Sequence, residues 1–263
     1  MAQQADPTPL NLLTPFVILA YSVSYLPVTI YQLLLERDFK TLLNFEALKS
    51  AWFARFWAFF GPKSRDRAEP KITPLIQNQA RGVCLDIGPG SGQWLYLFAQ
   101  AMNPTITKIY GVEPNIGMHA ALRENAVKAG LGDVYEIIGC GAQELITKGG
   151  LQPESVDTII TVQCLCSIPS PQTNIRELYP LLRHGGKWLV YEHIKTKYQR
   201  HFVGYWQHVI NVVWPHFLGG CSIVRPTDVW LQDAGKWQEV NLRPGPGEGP
   251  YDTIPHVIGY LRK

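Results

Sequence analysis

A glycine-rich turn directly after a short apolar run carries the residue types in this chain that are best suited to chemistry. The run 83–87 contains one acid, Asp86. Three glycines follow with the spacing G-x-G-x-G: Gly88, Gly90 and Gly92. The pattern predicts a buried strand, a tight turn and a helix over 93–102. Glycine permits positive φ and leaves the backbone open to a ligand, so we expect this turn to bind the polar end of one.

The spacing and charge of this turn argue against a dinucleotide site. The pattern G-x-G-x-x-G would place its third glycine at the position of Gln93. The carboxylate of Asp86 would repel a pyrophosphate, whereas it suits a ligand with a positive end. A second acid, Glu113, follows the next predicted strand, 109–112. Because an acid at that place can hold both hydroxyls of a ribose, we expect Glu113 and the nearby Asn115 to bind the same ligand.

The segment D-x-G-x-G-x-G resembles motif I of the class I methyltransferases, whose donor is S-adenosylmethionine. The resemblance implies that the sulfonium and ammonium groups of this cofactor lie near the acid of the motif. In that family the turn after the third strand, here 139–144, meets the adenine. The cofactor-binding residues implied are Asp86, Gly88, Gly90, Gly92, Glu113, Asn115, Ala142, Gln143 and Gln163.

The order of apolar runs predicts the fold class. Strands are expected at 134–138, 156–162 and 187–193, with helices at 117–130 and 172–182 between them. A closing strand pair is expected at 237–242 and 256–261. This order predicts an α/β fold, a doubly wound seven-stranded class I methyltransferase sheet with a helical N-terminal extension, in which ligands lie beyond the carboxyl ends of the strands.

The N-terminal extension is hydrophobic and then amphipathic. No charged residue occurs over 7–35, a stretch long enough to cross a bilayer. Because Pro27 would kink one span, a bent span, an in-plane hairpin and a buried soluble helix all stay open. The aromatic and basic segment 37–60 suits either a membrane interface or packing on its own domain. We expect an uncleaved anchor with the catalytic domain facing the cytosol.

Gly61, Pro62 and the polar run 63–70 resemble a linker, and we place the domain boundary there: 1–67 is the anchor region and 68–263 the methyltransferase domain. A net charge of +3 gives no indication of nucleic-acid binding. Five cysteines without a C-x-x-C pair suit a reducing compartment, and no metal site is expected. The oligomeric state is not indicated.

The chain as a whole resembles the membrane-anchored thiol S-methyltransferases of the methyltransferase-like family, which are found on the endoplasmic reticulum and lipid droplets. The matching pieces are LCS at 165–167, GG at 185–186, EH at 192–193, WQ at 206–207, GC at 220–221, PH at 255–256 and Gly259. This resemblance implies a small lipophilic thiol as acceptor. Pro89 and Glu113 depart from the family pattern, and 208–217 matches poorly.

Other functions stay open at this point: O- or N-methylation of a lipophilic metabolite, and a non-catalytic membrane or lipid-droplet protein that retains the cofactor fold. An acceptor thiol must lose its proton, which a histidine can accept. His193, at the end of the fifth strand, is the leading candidate, followed by His256 and His208. The aromatic segment 198–221 is interpreted as a cap over the acceptor, a second membrane contact or a helix packed for stability.

Overall fold

The computed structural model describes residues 9–263 and is built around one mixed sheet. Its strands are β1 Gly82–Ile87, β2 Ile106–Val112, β3 Tyr135–Ile138, β4 Val156–Val162, β5 Leu182–His193, β6 Glu239–Pro244 and β7 His256–Arg262. They lie in the order β3-β2-β1-β4-β5-β7-β6. β1 to β5 are parallel, and β7 is antiparallel to both of its neighbours. The predicted doubly wound seven-stranded sheet is confirmed.

Eight α-helices of the described chain surround this sheet or precede it. They are α1 Thr14–Leu35, α2 Phe39–Leu43, α3 Phe45–Ile76, α4 Ile116–Lys128, α5 Pro171–Leu178, α6 Phe202–Asn211, α7 Trp214–Phe217 and α8 Thr227–Gln232. Short 3-10 helices occupy Pro9–Leu13, Leu95–Phe98, Ala142–Glu144 and Tyr179–Leu181. The strand order turns back between β1 and β4, so the crevice at their carboxyl ends is the expected ligand site.

The central strands are apolar on both faces because each face packs on a separate core. Successive side chains of a strand point to opposite faces. In β4, Ile159 belongs to one core and Ile160 to the other, and each is almost fully buried. In β5, Trp188 lies in the same core as Ile159, and Leu189 lies in the same core as Ile160. Burial on both faces explains why these strands appear in the sequence as nearly continuous apolar runs.

The N-terminal helices share a third core with the segment after β5. Phe56 of α3 is fully buried together with Ile210, Trp214 and Cys166. The indole N–H of Trp52 donates to the carbonyl of Ser22 in α1 at 2.8 Å. The extension is therefore packed on the catalytic domain along its length.

The predicted linker is wrong. Gly61, Pro62 and the run 63–70 lie inside α3, which continues to Ile76 without a break. Ala68 and Ile72 are buried against the sheet, and this packing outweighs the local helix-breaking tendency of proline. The division into 1–67 and 68–263 stays a prediction, and residues 1–8 lie outside the described part.

Three other expected elements differ in extent. The helix expected over 93–102 is only the 3-10 turn Leu95–Phe98, because i to i−3 hydrogen bonds such as Leu97 N–H to Trp94 O tighten it. The segment 37–60 forms two helices, separated at Asn44, whose side chain caps α3. β5 begins at Leu182 and includes the turn expected at 184–186.

One segment of the described chain, Pro9–Leu35, is long and apolar enough to cross a membrane, and only 17% of its most apolar window is buried. Residues 7 and 8 of the uncharged run lie outside the described part. This assignment rests on length and composition alone. The same helix also packs along α3.

Phe56→Ala should destabilise the whole protein by about 3–5 kcal/mol, because it empties the core that α3 shares with the domain. Phe45→Ala is the matched control: this ring is 71% exposed and its loss should cost less than about 0.5 kcal/mol. Urea unfolding of both variants measures the difference. Equal free energies of unfolding would mean that α3 does not share a core with the domain.

Candidate active site

A single large cavity lies beyond the carboxyl ends of β1, β2, β4 and β5. Its volume is about 1360 Å³. The sheet supplies the glycine turn and the residues that follow β2, β4 and β5, and α1 and α3 close the opposite side. The predicted site residues that line it are Gly88, Gly90, Glu113, Asn115, Ala142, Gln143, Gln163, His193 and His256.

The glycine turn has the backbone conformation that its sequence predicts. Gly88, Gly90 and Gly92 have φ of +63°, +60° and +83°. A Cβ on Gly88 would lie 2.6 Å from the Cβ of Cys164, and one on Gly90 would lie 3.1 Å from Nε1 of Trp57 in the cavity. The turn therefore exposes bare backbone to the cavity at Gly90 and packs backbone against the β4 loop at Gly88.

Glu113 is held at the end of β2 with its carboxylate in the cavity. Its Oε2 accepts the N–H of Gly90 at 2.9 Å, and its Oε1 accepts the N–H of Asn115 at 2.8 Å. Burial raises the pKa of Glu113, although these two hydrogen bonds oppose it. Each oxygen keeps a further lone pair, so the carboxylate can still accept the two hydroxyls of a ribose. Asn115 caps α4 through the N–H of Gly117.

Asp86 does not line the large cavity, in contrast to the expectation that it faces a positive ligand. Its Oδ2 accepts the phenol O–H of Tyr135 at 3.1 Å beneath the glycine turn. Gly92 shares the small adjoining space there and does not line the large cavity either. Burial raises the pKa of Asp86 to about 7. The carboxylate of the motif therefore lies on the side of the glycine turn that faces away from the large cavity. The alternation of side chains along β1 gives it this direction.

Two turns close the cavity, and the resemblance places the adenine at the first of them. Ala142 and Gln143 lie in the short 3-10 helix after β3 and line the cavity. Gln163, directly after β4, has φ of +53°. Its amide donates to Nε2 of His256 at 3.1 Å, and its oxygen accepts the hydroxyl of Ser64 from α3. Gln163 therefore connects the cofactor side of the cavity to the histidines.

His193 and His256 face each other across the β5 and β7 pair, with ring centroids 4.6 Å apart. His256 stacks on Tyr191 and donates from Nδ1 to Oε1 of Glu248 at 2.7 Å. Burial lowers the pKa of His256 to about 4, although Glu248 opposes it. His256 is therefore neutral at physiological pH and its remaining nitrogen accepts from Gln163.

His193 lies in a group of soft side chains. Its Nδ1 is 3.5 Å from Sγ of Cys221, and Sγ of Cys166 completes a triangle whose atoms all lie within 4.8 Å of one another. Burial by itself would lower the pKa of His193, but its interactions with Cys166, including a hydrogen bond, and then with Glu192 and Glu248 outweigh burial, and the pKa is raised. Two sulfurs and an imidazole are also ligand types of a soft metal ion. The imidazole of this group can also accept a proton from a molecule bound in the cavity.

Several residues of the site are missing from the predicted set, although Glu192 belongs to the EH pair that carries the resemblance. Glu192 is fully buried and accepts the N–H groups of Cys164 and Leu165, so it fixes the loop that follows β4. Glu248 lies in a Gly- and Pro-rich loop, and Trp57 faces the glycine turn from a helix distant in sequence. Only the neighbouring position of Glu192 and His193 could have suggested a joint role.

His208 is not brought to the cavity, which corrects its place among the candidate bases. It is exposed on α6, and its Nε2 lies 3.4 Å from the side-chain oxygen of Gln199. The adjoining WQ pair is structural. Gln207 is fully buried and joins Thr196 to Thr253, and the indole N–H of Trp206 donates to the carbonyl of Leu12.

The sequence of this chain is similar to those of known methyltransferases. A family model described as "Methyltransferase domain" matches residues 85–190. Human thiol S-methyltransferase TMT1B is 23% identical over 81% of this chain and 87% of its own length, and the mouse protein of that name is 24% identical over 90% and 97%. This chain is a class I S-adenosylmethionine-dependent methyltransferase. The resemblance to the thiol S-methyltransferase branch that the sequence indicates is confirmed by these relatives.

The fold of this methyltransferase is also found in solved structures. A Nostoc punctiforme structure described as a candidate O-methyltransferase superimposes with a TM-score of 0.61, covering 96% of this chain and 71% of its own, at 17% identity. That similarity concerns the fold alone. The residues present fit the cofactor, because a Cβ would fill the cradle at Gly90 and the Glu113 carboxylate lies beside it.

Glu113→Gln should weaken donor binding by about 10- to 100-fold, because it removes the charge that strengthens hydrogen bonds from the ribose hydroxyls. Titration calorimetry with S-adenosylmethionine measures the dissociation constant. Glu136→Gln on the neighbouring strand is the control, since Glu136 contacts Lys108 outside the cavity. Wild-type affinity in Glu113→Gln would exclude the ribose role.

Gly90→Leu should abolish measurable donor binding, because the side chain would occupy the space beside Trp57. Gly130→Leu is a matched control: Gly130 also has a positive φ, +72°, but no atom lies within 4 Å of its Cβ position. The control therefore carries similar backbone strain without blocking the cavity. If both variants lose the donor to the same degree in calorimetry, strain and not blocked space is the cause.

Proposed function

We propose that this methyltransferase transfers a methyl group to the sulfur of a small lipophilic thiol. The observation that carries the proposal is one cavity lined by the glycine turn, by His193 and by aromatic side chains. The aromatic part, which we call the aromatic chamber, is formed by Phe53, Trp57, Phe60 and Phe217. The similarity to thiol S-methyltransferases over most of the chain supports the same acceptor class.

The reaction is an in-line displacement, for which positioning supplies much of the rate. S-adenosylmethionine, when bound, supplies an electrophilic methyl group on a good leaving group. The chain's own contribution is to hold the ribose at Glu113, to enclose the acceptor between α3 and the β4 loop, and to take one proton. The acceptor proton passes to His193, and the sulfur lone pair forms the new bond to carbon.

The properties of His193 favour a thiol over an alcohol. An ordinary thiol has a pKa of about 8.5, whereas a phenol has one of about 10. The pKa of His193 is raised from its usual value, which brings it closer to that of the thiol, so proton transfer is less uphill. His256 is the weaker candidate, because its pKa is lowered to about 4 and Gln163 occupies its free nitrogen. We assign it the role of orienting Gln163 and the loop of Glu248.

O- or N-methylation of a lipophilic metabolite is the competing function, because an aromatic chamber does not by itself select the acceptor atom. A screen with labelled donor and size-matched thiol, phenol and amine acceptors separates the alternatives. The thiol should give the highest kcat/KM. A phenol or amine that exceeds it by tenfold or more would replace the proposed acceptor class.

We also propose that the protein is membrane-associated, on the endoplasmic reticulum or lipid droplets, with the catalytic domain facing the cytosol. The apolar segment Pro9–Leu35 supports association. The compartment and orientation rest on the resemblance and on the excess of basic residues that follows this segment.

His193→Ala should lower kcat for an aliphatic thiol by about 10²- to 10⁴-fold with little change in donor affinity, because general-base assistance contributes that much. The loss should be far smaller for a low-pKa aromatic thiol, which is already ionised. For the aliphatic thiol, wild-type kcat should rise with pH until His193 is neutral, and because the pKa of His193 is raised this occurs at a higher pH than for an ordinary histidine. The variant should continue to rise toward the acceptor's own pKa.

His208→Ala is the control for this experiment, since that ring is exposed outside the cavity. The measurement is a pH profile of kcat for both acceptors. Equal losses for both thiols, with an unchanged profile, would assign His193 a positioning role and leave the proton to another group.

A further inference from the structure

Helix α6 is apolar on both of its faces. Its inner face is buried against the domain at Val203, Gln207 and Ile210. Its outer face carries a stripe at helical spacing, whose members are 59–71% exposed: Phe202, Tyr205, Val209 and Val212. The side chains of the outer stripe are not part of the buried core. A solvent-exposed apolar stripe of this kind marks an interaction surface.

The stripe is continuous with the exposed face of α1. Phe16 of α1 contacts the ring of Trp206 at 5.6 Å, and Trp206 stacks on Phe202 at 5.8 Å. The exposed side of α1 carries Val17 and Tyr21 next to Phe16. The apolar segment near the N-terminus and α6 therefore present one surface, which we call the α1–α6 face.

Helix α1 is bound to the domain at both of its ends and in its middle. Near its start, Asn11 donates to Asp252 at 2.9 Å, and in its middle the Ser22 hydroxyl donates to the carbonyl of Phe217. After its end, Glu36 pairs with Arg55 of α3 at 3.2 Å. A perpendicular span would place the partners of its two ends, Asp252 and Arg55, on opposite sides of the bilayer and the polar contact at Ser22 within it, which is costly for one packed domain. The contacts favour a helix that lies along the membrane plane.

The cavity opens on the same face. Val17 and Tyr21 line the cavity and are also 55% and 42% exposed. The mouth of the cavity is thus bordered by the apolar side of α1. Exposed basic residues adjoin the face in the sequence: Lys40 in α2, and Lys197 and Arg200 before α6. Such residues attract anionic headgroups.

We propose that the α1–α6 face lies in one leaflet of a lipid bilayer, with α1 in the membrane plane and not across it, and that the acceptor reaches the cavity from the lipid. The face is apolar, bordered by cations and open to the cavity, which is the chemistry of a monotopic membrane contact. Acceptor access from the lipid rests on the proposed function. The membrane contact of the α1–α6 face does not depend on it.

The face is tested by flotation of the full-length protein with vesicles of phosphatidylcholine and phosphatidylserine. Val209→Glu combined with Val212→Glu should lower the partition coefficient by at least about tenfold, because two charges replace two inserted apolar side chains. The matched control is Ile116→Glu combined with Val127→Glu on α4, where the side chains are 76% and 69% exposed. A cooperative thermal unfolding transition in each variant is the check that both variants are folded.

Equal partition coefficients of the two double variants would contradict the proposed membrane contact of the α1–α6 face. A change in the oligomeric state in detergent, with vesicle binding unaltered, would overturn it too, since the stripe would then be a contact between copies of the chain. Loss of binding confined to the α6 variant supports the proposal.

The orientation of α1 is tested with Leu10→Cys and Lys40→Cys, one near each end of the helix. All five native cysteines are buried, so background labelling is low. In sealed vesicles an impermeant maleimide should label both sites from outside, because an in-plane helix has both ends on one side. Protection of either site until detergent is added would demonstrate a span and overturn the in-plane orientation.

Acceptor access is tested by the KM of a long-chain thiol and of a short water-soluble thiol in the presence of vesicles. The α6 double variant should raise KM for the long-chain thiol at least about tenfold and leave the short thiol unchanged. Equal changes in both would overturn access from the lipid. If neither thiol is methylated by the wild type, the proposed function fails, while flotation and labelling still decide the membrane face.

Discussion

The buried carboxylate of Glu192 determines the shape of the active site through the loop that follows β4. It accepts the N–H groups of Cys164 and Leu165, which would otherwise be unsatisfied at the end of a buried strand. Cys164, held in this way, contacts the glycine turn at the position where Gly88 has no side chain. The donor and acceptor ends of the cavity are therefore positioned by the same charge, which lies beside His193.

The N-terminal helices complete this site and are not an accessory to it. Trp57 of α3 faces Gly90, and Ser64 donates to Gln163. Phe56 of the same helix lies in a core with Cys166 and Trp214. The sheet alone would leave the cavity open on one side. Because α3 closes it with aromatic side chains, the acceptor is excluded from water by residues that precede the methyltransferase motif in sequence.

Sequence patterns predict the sheet well because burial on both faces gives nearly continuous apolar runs such as 156–162. They also predict the glycine turn and Glu113, whose roles depend on local backbone geometry and on strand order. The charge of Asp86 taken alone predicts a place in the cavity, whereas the alternation of β1 and a contact with Tyr135, on a strand that is not adjacent, direct the carboxylate away from it. The prolines of α3 indicate a linker where the structure has a helix. Packing of Ile72 on the sheet outweighs the helix-breaking tendency of proline, and a contact between residues distant in sequence is not part of any short-range pattern.

The length of α3 has a mechanical consequence. With 32 residues it is a rod of about 48 Å. Towards its start Arg55 pairs with the residue that follows α1, and towards its end Lys71 pairs with Glu248, the partner of His256. A tilt of α1 relative to the sheet would pull on Arg55 and rotate α3. Because Lys71 of α3 contacts Glu248, this rotation would displace Glu248 and the histidine pair. The position of the histidine pair is thus coupled to the position of α1, so a change in how α1 is held would reach the cavity through α3.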